Sequence, residues 1–449
     1  MTFVSILVGI LIFSILVITH EFGHFIMARI FKIGVIEFSV GMGPRIWSHQ
    51  GKRTRFSLKA IPFGGSCSMV GEDAAGGGEI GLADEEDEEL REMIARAGDS
   101  FQTKSVFARI CTIIGGPLFN ILTALILAVI MVSMSGTNPA KVYNVAAGYG
   151  AETAGIQVGD EILSINGSGI SVGREIQLYL YTHPLGDTVT VEYLRDGEKH
   201  SVTYDPTFEA YRLGISYTAD TSGATLSDVA SDSAAAIAGL VAGDIITSID
   251  GTGITTGEDM QKYFAEHPLD GSEITVTYRR TGTEKSAVIM PTQVKDSTLG
   301  FAASYYSEEP TFGSVLTGCV KETVYAVKSV IYSLRMLFTG QAGLKDLSGP
   351  VGIVSVIGDT ITTSAEVGIS TVVINLLSLS VLLSVNLGIV NLFPFPALDG
   401  GRLVLLIIEG ITRKKLPPKA EGILNMVGFV LLMILMVVIF FSDLMKLFS

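Results

Sequence analysis

Four long stretches of this 449-residue chain carry no charged side chain: residues 1–19, Ile110–Met134, Val367–Leu398 and Gly422–Ser442. Each reaches the roughly 20 apolar residues needed to cross a hydrocarbon core about 30 Å thick. In that medium every backbone N–H and C=O must be bonded internally, so the stretches are read as transmembrane helices. Composition agrees, since only 17% of residues are charged against about 25% in a soluble domain. Residues 1–19 lack a basic start and a small-residue cleavage context, and are expected to be an uncleaved span rather than a signal peptide. A net charge of −14 argues against a nucleic-acid partner, which selects for basic surfaces. The three cysteines, Cys67, Cys111 and Cys319, form no CxxC pair and outline no disulfide framework.

Lys and Arg near span ends set orientation. Basic residues cluster after the first span (Arg29, Lys32, Arg45, Lys52, Arg53, Arg55, Lys59), before the second (Lys104, Arg109) and after the third (Arg402, Arg413, Lys414, Lys415, Lys419). Those two connections share a side in a four-span chain and are placed in the cytoplasm. Both termini and residues 135–366 are then extracytoplasmic. The acidic run Asp84–Glu89 reads as a solvated insert.

A repeat lies in the outer segment. Ala154–Ile170 recurs 84 residues later as Ala238–Ile254, with ten of 17 positions identical. His183-Pro-Leu then matches His267-Pro-Leu, alternating strands follow at Thr188–Tyr193 and Ile274–Tyr278, and Leu213-Gly214-Ile215 matches Leu299-Gly300-Phe301. The Ala-Gly-Φ-x-x-Gly-Asp-x-Ile-x-x-Ile-Asn/Asp-Gly signature resembles a PDZ domain of the type found in bacterial proteases. The two Leu-Gly steps resemble its carboxylate-binding loop, where backbone amides take a peptide C-terminus by strand addition.

The chemistry is concentrated elsewhere. His20-Glu21-Phe22-Gly23-His24 is an HExxH motif near the inner end of the first span. On a helix the histidines at i and i+4 share a face and can hold one metal ion, with Glu21 able to deprotonate a water there. Ionisable groups within a span are costly and mark function. A catalytic zinc takes three protein ligands and keeps a fourth position open. Of the other four histidines, His49 lies in the cytoplasmic loop and His183, His200 and His267 are on the wrong side. Asp399, which closes the third uncharged run in Asn391-Leu-Phe-Pro-Phe-Pro-Ala-Leu-Asp-Gly-Gly-Arg402, is the better third ligand, because the first and third spans both end inward. Pro394 and Pro396 interrupt helix geometry, and such a break is tolerated only where it is buried or lines a wet cavity. Asn386 and Asn391 could bind an extended substrate or only join helices. In Gly115-Gly-Pro-Leu-Phe-Asn120, helix packing and an active-site role for Asn120 stand equal.

HExxH in the first span, Gly-Pro-x-x-Asn in the second and Asn-x-x-Pro-x-Pro-x-Leu-Asp-Gly near the end of the third together resemble the site-2 proteases. The two PDZ modules and Leu347-Ser-Gly-Pro-Val-Gly352 resemble the regulator of sigma-E protease group in particular. The likeness implies one Zn2+ per chain on His20, His24 and Asp399, with Glu21 as general base. Candidate substrate contacts, read from their positions rather than from the likeness, are Asn120, Asn386, Asn391, Pro394 and Pro396. Substrates would be single-pass membrane proteins already trimmed by a site-1-type protease, such as anti-sigma factors or signal-peptide remnants. The location implied is a bacterial inner membrane. In the family, a segment like the alternating Ile36–Val40 and Arg55–Ile61 forms a membrane-dipping β element beside the site. The Glu72–Ser100 insert is not explained by the likeness.

The expected fold class is thus a multi-span α-helical membrane protein with two tandem extracytoplasmic PDZ domains. Its parts are a first span over 1–30, a cytoplasmic loop over 31–105 and a second span over 106–135. PDZ modules follow over 138–218 and 222–306, then an amphipathic linker helix over 310–342, a third span over 367–400 and a fourth over 421–443. A non-catalytic scaffold would use the PDZ pair alone. A zinc transporter would spread ionisable groups along a pathway.

Overall fold

The computed structural model describes residues 3–71, 88–218, 223–303, 308–343, 346–414 and 418–448. In chain order its elements begin with α1 (Phe3–Ile30), β1 (Val35–Gln50), β2 (Arg55–Met69), α2 (Glu88–Ala97) and α3 (Val106–Ser135). The first repeat contains β3 (Val142–Val145), α4 (Gly150–Thr153), β4 (Glu161–Ile165), β5 (Ser168–Gly169), α5 (Glu175–Thr182), β6 (Val189–Arg195) and β7 (Glu198–Tyr204). Then come β8 (Thr207–Arg212), β9 (Ile215–Tyr217), β10 (Leu226–Val229), α6 (Ala234–Ile237), β11 (Ile245–Ile249), β12 (Thr252–Gly253) and α7 (Gly257–Glu266). The repeat region ends with β13 (Ile274–Arg280), β14 (Thr283–Ile289), β15 (Thr292–Ser297) and β16 (Phe301–Ala303). Helices α8 (Phe312–Thr339), α9 (Pro350–Ala365), α10 (Ile369–Asn391), α11 (Asp399–Thr412) and α12 (Pro418–Phe448) complete the chain. It clusters into two compact units, one of residues 1–140, 171–182 and 305–449, the other of residues 141–170 and 183–304.

In the first unit α1, α3, α10 and the Glu421–Lys446 part of α12 are long and apolar enough to span a bilayer. Helix α3 packs against α1, α8, α10 and α11. The third span does not run to residue 400 as one helix. It stops at Asn391, the Pro394/Pro396 segment turns with Ala397 at a left-handed φ of 75°, and Asp399 opens a separate helix. Two prolines, each without an N–H to donate, account for the break.

The expected linker helix is present as α8, but it lies along α3 and α10 rather than merely joining domains. Its valines divide: Val330 is buried and Val327 packs beside it, whereas Val320 and Val324 are exposed, and Gly318, Cys319, Glu322, Thr323 and Ala326 complete the buried face. Small residues at such a face let helices approach closely. Glu322 is bonded by Arg174, whose guanidinium also donates to Ser378 Oγ on α10.

Strands β1 and β2 extend well beyond the expected segments. Phe38 pairs with Cys67 on one side and Phe56 on the other, so the start of β1 lies between the two halves of β2. Residues 65–69 thereby form an outer edge. Most of the Glu72–Ser100 insert, including 84–87 of its acidic run, lies outside the described residues, as does Lys415 of the inner basic cluster.

In the second unit the repeat signature has a structural cause. Asn166 and Asp250 sit at positive φ before Gly167 and Gly251, the Asn-Gly and Asp-Gly turns that suit tight hairpins. The aspartate of each Gly-Asp step is buried. Asp160 is held by Arg195 through Nε at 2.7 Å and Nη2 at 2.7 Å, and Asp244 by Arg280 at 2.7 and 2.6 Å. Each arginine also donates to the carbonyl of the preceding Ala-Gly step, Gly155 or Gly239, at 2.8 Å.

The module boundaries, 138–218 and 222–306, require correction. Strand β9, just after Leu213-Gly214, pairs with β10, and Leu213 is buried in the second module's core. Strand β16, just after Leu299-Gly300, pairs with β3 of the first. Ala146 N donates to Gly300 O as Ala230 N donates to Gly214 O. Tyr204 donates to Leu299 O at 2.7 Å. Strands β8 and β15 pair as the two-stranded stem through which the second module is inserted into the first.

Hydrogen bonding from Arg280 and from Val241 N outweighs burial and holds the Asp244 carboxyl below its ordinary value. Its stabilising contribution is therefore complete above pH about 4 and lost as pH falls through the lower folded value. Asp244→Asn is expected to destabilise this module by about 2 kcal/mol at pH 7, with the deficit shrinking below pH 4. Amide hydrogen exchange of β11 and β13 across that pH range checks it.

Candidate metal centre

The HExxH segment is continuous helix within α1, so His20 and His24 project from one face and both are buried. Their Nε2 atoms lie 3.2 Å apart. Asp399 Oδ2, arriving at the first residue of α11, is 3.1 Å from His20 Nε2 and 3.3 Å from His24 Nε2. These separations lie at or just under the roughly 3.3–3.6 Å that metal bonds of about 2.0–2.2 Å in tetrahedral directions require, so a slight opening of the triad would seat an ion. Asp399 Oδ2 is buried and accepts no hydrogen bond, as an oxygen reserved for a cation would be. These three residues are the one group among those described whose donor atoms could share an ion.

Helix α3 supports both imidazoles from behind. His24 Nδ1 lies 2.9 Å from Thr112 O, and Asn120 Nδ2 lies 3.0 Å from His20 Nδ1. With Nδ1 of His24 donating to that carbonyl, its Nε2 keeps a lone pair for a metal. Exchanging the oxygen and nitrogen of the Asn120 amide, whose Oδ1 is otherwise buried without a partner, gives His20 the same tautomer. The helices must nearly touch for this. A Cβ on Gly23 would meet Gly115 O at 2.2 Å, and one on Gly116 would meet His24 Nε2 at 2.4 Å. Helix α3 also fixes α11: Arg109 donates through Nη1 and Nη2 to Glu409 at 3.0 and 2.5 Å, both side chains being largely buried. Opening such a pair from one side costs about 3–5 kcal/mol.

In front of the donors is a cavity of about 310 Å³ lined by Glu21, Ser66, Cys67, Asn391, Leu398 and Arg402, among others. Gly65 lies close to the Glu21 side chain, a Cβ there being 3.5 Å from Glu21 Cγ. The constellation therefore joins a metal-binding triad, a carboxylate able to move a proton and a strand edge able to hold an extended chain.

A profile of Peptidase family M50 matches residues 8–435. The chain belongs to this family. Similar along nearly their whole lengths are a "putative zinc metalloprotease" of Clostridium acetobutylicum, 27% identical over 99% of this chain and 98% of its own, and the "regulator of sigma-W protease RasP" of Bacillus subtilis, 28% identical over 99% of each. Part of the chain is similar to the HtrA3 PDZ domain, at 23% identity over 20% of this chain and 91% of that one, with a TM-score of 0.17. This M50 protein is thus a membrane-embedded zinc metalloprotease of the site-2 protease family, and the donor set of two imidazoles and one carboxylate fits zinc.

The remaining expected residues separate. Asn391 lines the M50 cavity. Asn386 is exposed on α10 and does not. Asn120 is fully buried, lies against His20 and is not among the residues lining the cavity. Pro394 is exposed, and Pro396 packs its backbone against Gly428 of α12. Leu213–Ile215 and Leu299–Phe301 belong to the module cores and strand ends described above. Sequence reasoning missed Thr112, whose backbone gives no side-chain signal, and Arg402, whose spacing of i+3 from Asp399 was the available sign.

Asn120→Leu is expected to lower zinc affinity about 10- to 100-fold while the spans remain folded. Gly116→Ala is expected to lose zinc, because its methyl would enter the imidazole pair. Metal competition titrations on detergent-purified protein measure both.

Proposed function

We propose that the chain is an intramembrane endopeptidase with one zinc ion per chain, held by His20, His24 and Asp399, and with Glu21 as its general acid–base. The observation that carries this is the convergence of three metal-binding donors with Glu21 in one cavity, on helices long enough to cross a bilayer. Zinc at that position supplies Lewis acidity, lowering the pKa of water towards about 7 and polarising a carbonyl.

Asn391 and the Gly65–Met69 edge hold the substrate extended, because a helical peptide bond is shielded by its own hydrogen bonding. Glu21 takes a proton from the attacking water as the water oxygen bonds to the carbonyl carbon. Glu21 then gives that proton to the departing amine as the C–N bond breaks. Thr112 and Asn120 keep both imidazoles in the ligating tautomer.

The substrate class is single-pass membrane proteins trimmed beforehand by a site-1-type protease, as in regulated intramembrane proteolysis. The Bacillus relative's designation as a regulator of sigma-W protease supports anti-sigma factors; signal-peptide remnants share the chemistry. The protein sits in the bacterial cytoplasmic membrane with both termini and the repeat modules outside and the site near the inner face. The modules resemble PDZ domains and act as a size filter or bind a new C-terminus through their Leu-Gly steps.

Glu21→Gln is expected to retain zinc and lose cleavage of a single-span substrate by at least about 100-fold. Asp399→Asn is expected to lose both. Cleavage surviving in Glu21→Gln would refute the mechanism, as read by mass spectrometry of products beside metal analysis.

A further inference from the structure

The β1–β2 sheet carries charge of one sign. Residues 38–71 contain five Lys or Arg and no Asp or Glu, in a chain whose net charge is −14. Arg45 donates to Glu37 at 3.0 Å, Lys59 is the cross-strand neighbour of Arg45, and Arg55 is buried. That leaves Lys52 and Arg53, both exposed in the turn between the strands. Thr54, buried beside them, ties the turn to the end of α1. Its hydroxyl accepts from Arg29 Nη2 at 2.7 Å and donates to Val35 O at 2.7 Å. Arg29 also sits over the ring of Phe25, 5.3 Å from the centroid. Arg29 and Arg53 are thereby held close enough for their charges to repel. Among the described residues no carboxylate pairs with Arg29, Lys52 or Arg53. Like charges gathered without a counter-charge carry a repulsion that a bound anion removes.

The depth of this cluster selects the anion. The span of α1 is 28 residues long, about 42 Å at a rise of roughly 1.5 Å per residue. A bilayer measured with its headgroups is about 40–45 Å thick. Arg29, the last residue but one of that span, therefore stands at headgroup level. Beside the turn, residues 45–50 pair with 55–59 and are exposed throughout. They include Trp47, the single tryptophan of the chain, 58% exposed, next to Ile46 at 64%. Tryptophan favours the level where acyl chains meet headgroups. An apolar aromatic strand beside an uncompensated cationic turn suits a lipid, whereas a soluble anion needs no apolar neighbour.

We propose that the turn over residues 51–54, together with Arg29, binds the net-negative headgroup of an anionic phospholipid, with Trp47 set in the interface beside it. The proposal goes beyond the protease reading and rests on the membrane spans alone. Its consequence for the metal site is mechanical. Strand β2 starts at this turn and ends in the Gly65–Met69 edge that lines the cavity. A lipid held at the turn fixes the sheet that carries that edge to the membrane surface.

The test uses the full-length protein in phosphatidylcholine nanodiscs containing a minor fraction of brominated phosphatidylglycerol or, separately, of brominated phosphatidylcholine. Bromine quenches tryptophan at short range, so Trp47 reports which lipid is adjacent. Wild type is expected to favour phosphatidylglycerol by at least about tenfold, and Lys52→Gln and Arg53→Gln each to lower that preference about fivefold. Quenching by brominated phosphatidylcholine should be the same in all three, which shows that the hairpin keeps its place. Arg413→Gln with Lys414→Gln removes exposed charge at the end of α11 and is expected to leave the preference within about twofold of wild type. An equal loss in that control would reduce the effect to general surface potential and overturn the site. Equal quenching by both lipids in wild type would overturn it as well. So would displacement of brominated phosphatidylglycerol, at matched ionic strength, by inorganic phosphate or by an acidic peptide, the marks of a soluble-anion site and of a protein-docking site. No arm involves cleavage, so failure of the protease reading is a separate outcome.

Discussion

The backbone contact between α1 and α3 is the constraint on which the centre depends. Gly23 and Gly115 bring two membrane helices together with no side chain between them, and Gly116 leaves room for the imidazoles that point across the gap. Within lipid there is no hydrophobic drive to associate helices, so close van der Waals packing at small residues carries the load. Once the helices meet, Thr112 and Asn120 are brought to the rear of His24 and His20. The same helix then reaches α11 through Arg109 and Glu409, ten residues beyond Asp399. One helix that contributes no metal donor thus sets the position of all three.

The centre was legible in the sequence because its logic is local. HExxH declares itself by helical spacing, and the side of the membrane selected Asp399 over the outer histidines. The position of Asp399 at the start of a new helix was less legible. Pro394 and Pro396 announce a break, but not that the helix restarts three residues after the second of them. Asn386 and Asn391 looked equivalent on spacing, yet the end of α10 leaves one at the cavity and the other on an exposed face.

Two misreadings have physical reasons. Arg402 was read as a topology-setting charge, and a charge count does not distinguish a residue facing headgroups from one facing a cavity. The valines of α8 are spaced for one helical face, but beside α3 and α10 they divide, with Val327 and Val330 packed alongside Glu322 and Ala326 and with Val320 and Val324 exposed. A repeat, finally, shows that two segments are alike without showing which copy owns the strand between them. The Leu-Gly steps were assigned by proximity along the chain, whereas strand pairing exchanges them.

That exchange has a consequence for how the protein is made. The strand completing the first module, β16, is translated after the whole of the second module. On an emerging chain the second module can close as soon as Ile289 is available, since its core ends there. The first remains one strand short, its β3 edge open, until residues 301–303 arrive. Assembly proceeds from the inside outward, against the usual N-terminal-first order of domains on the ribosome. The last strand to dock is also the one that leads into α8, so the first module closes just before the chain that forms the remaining helices is made.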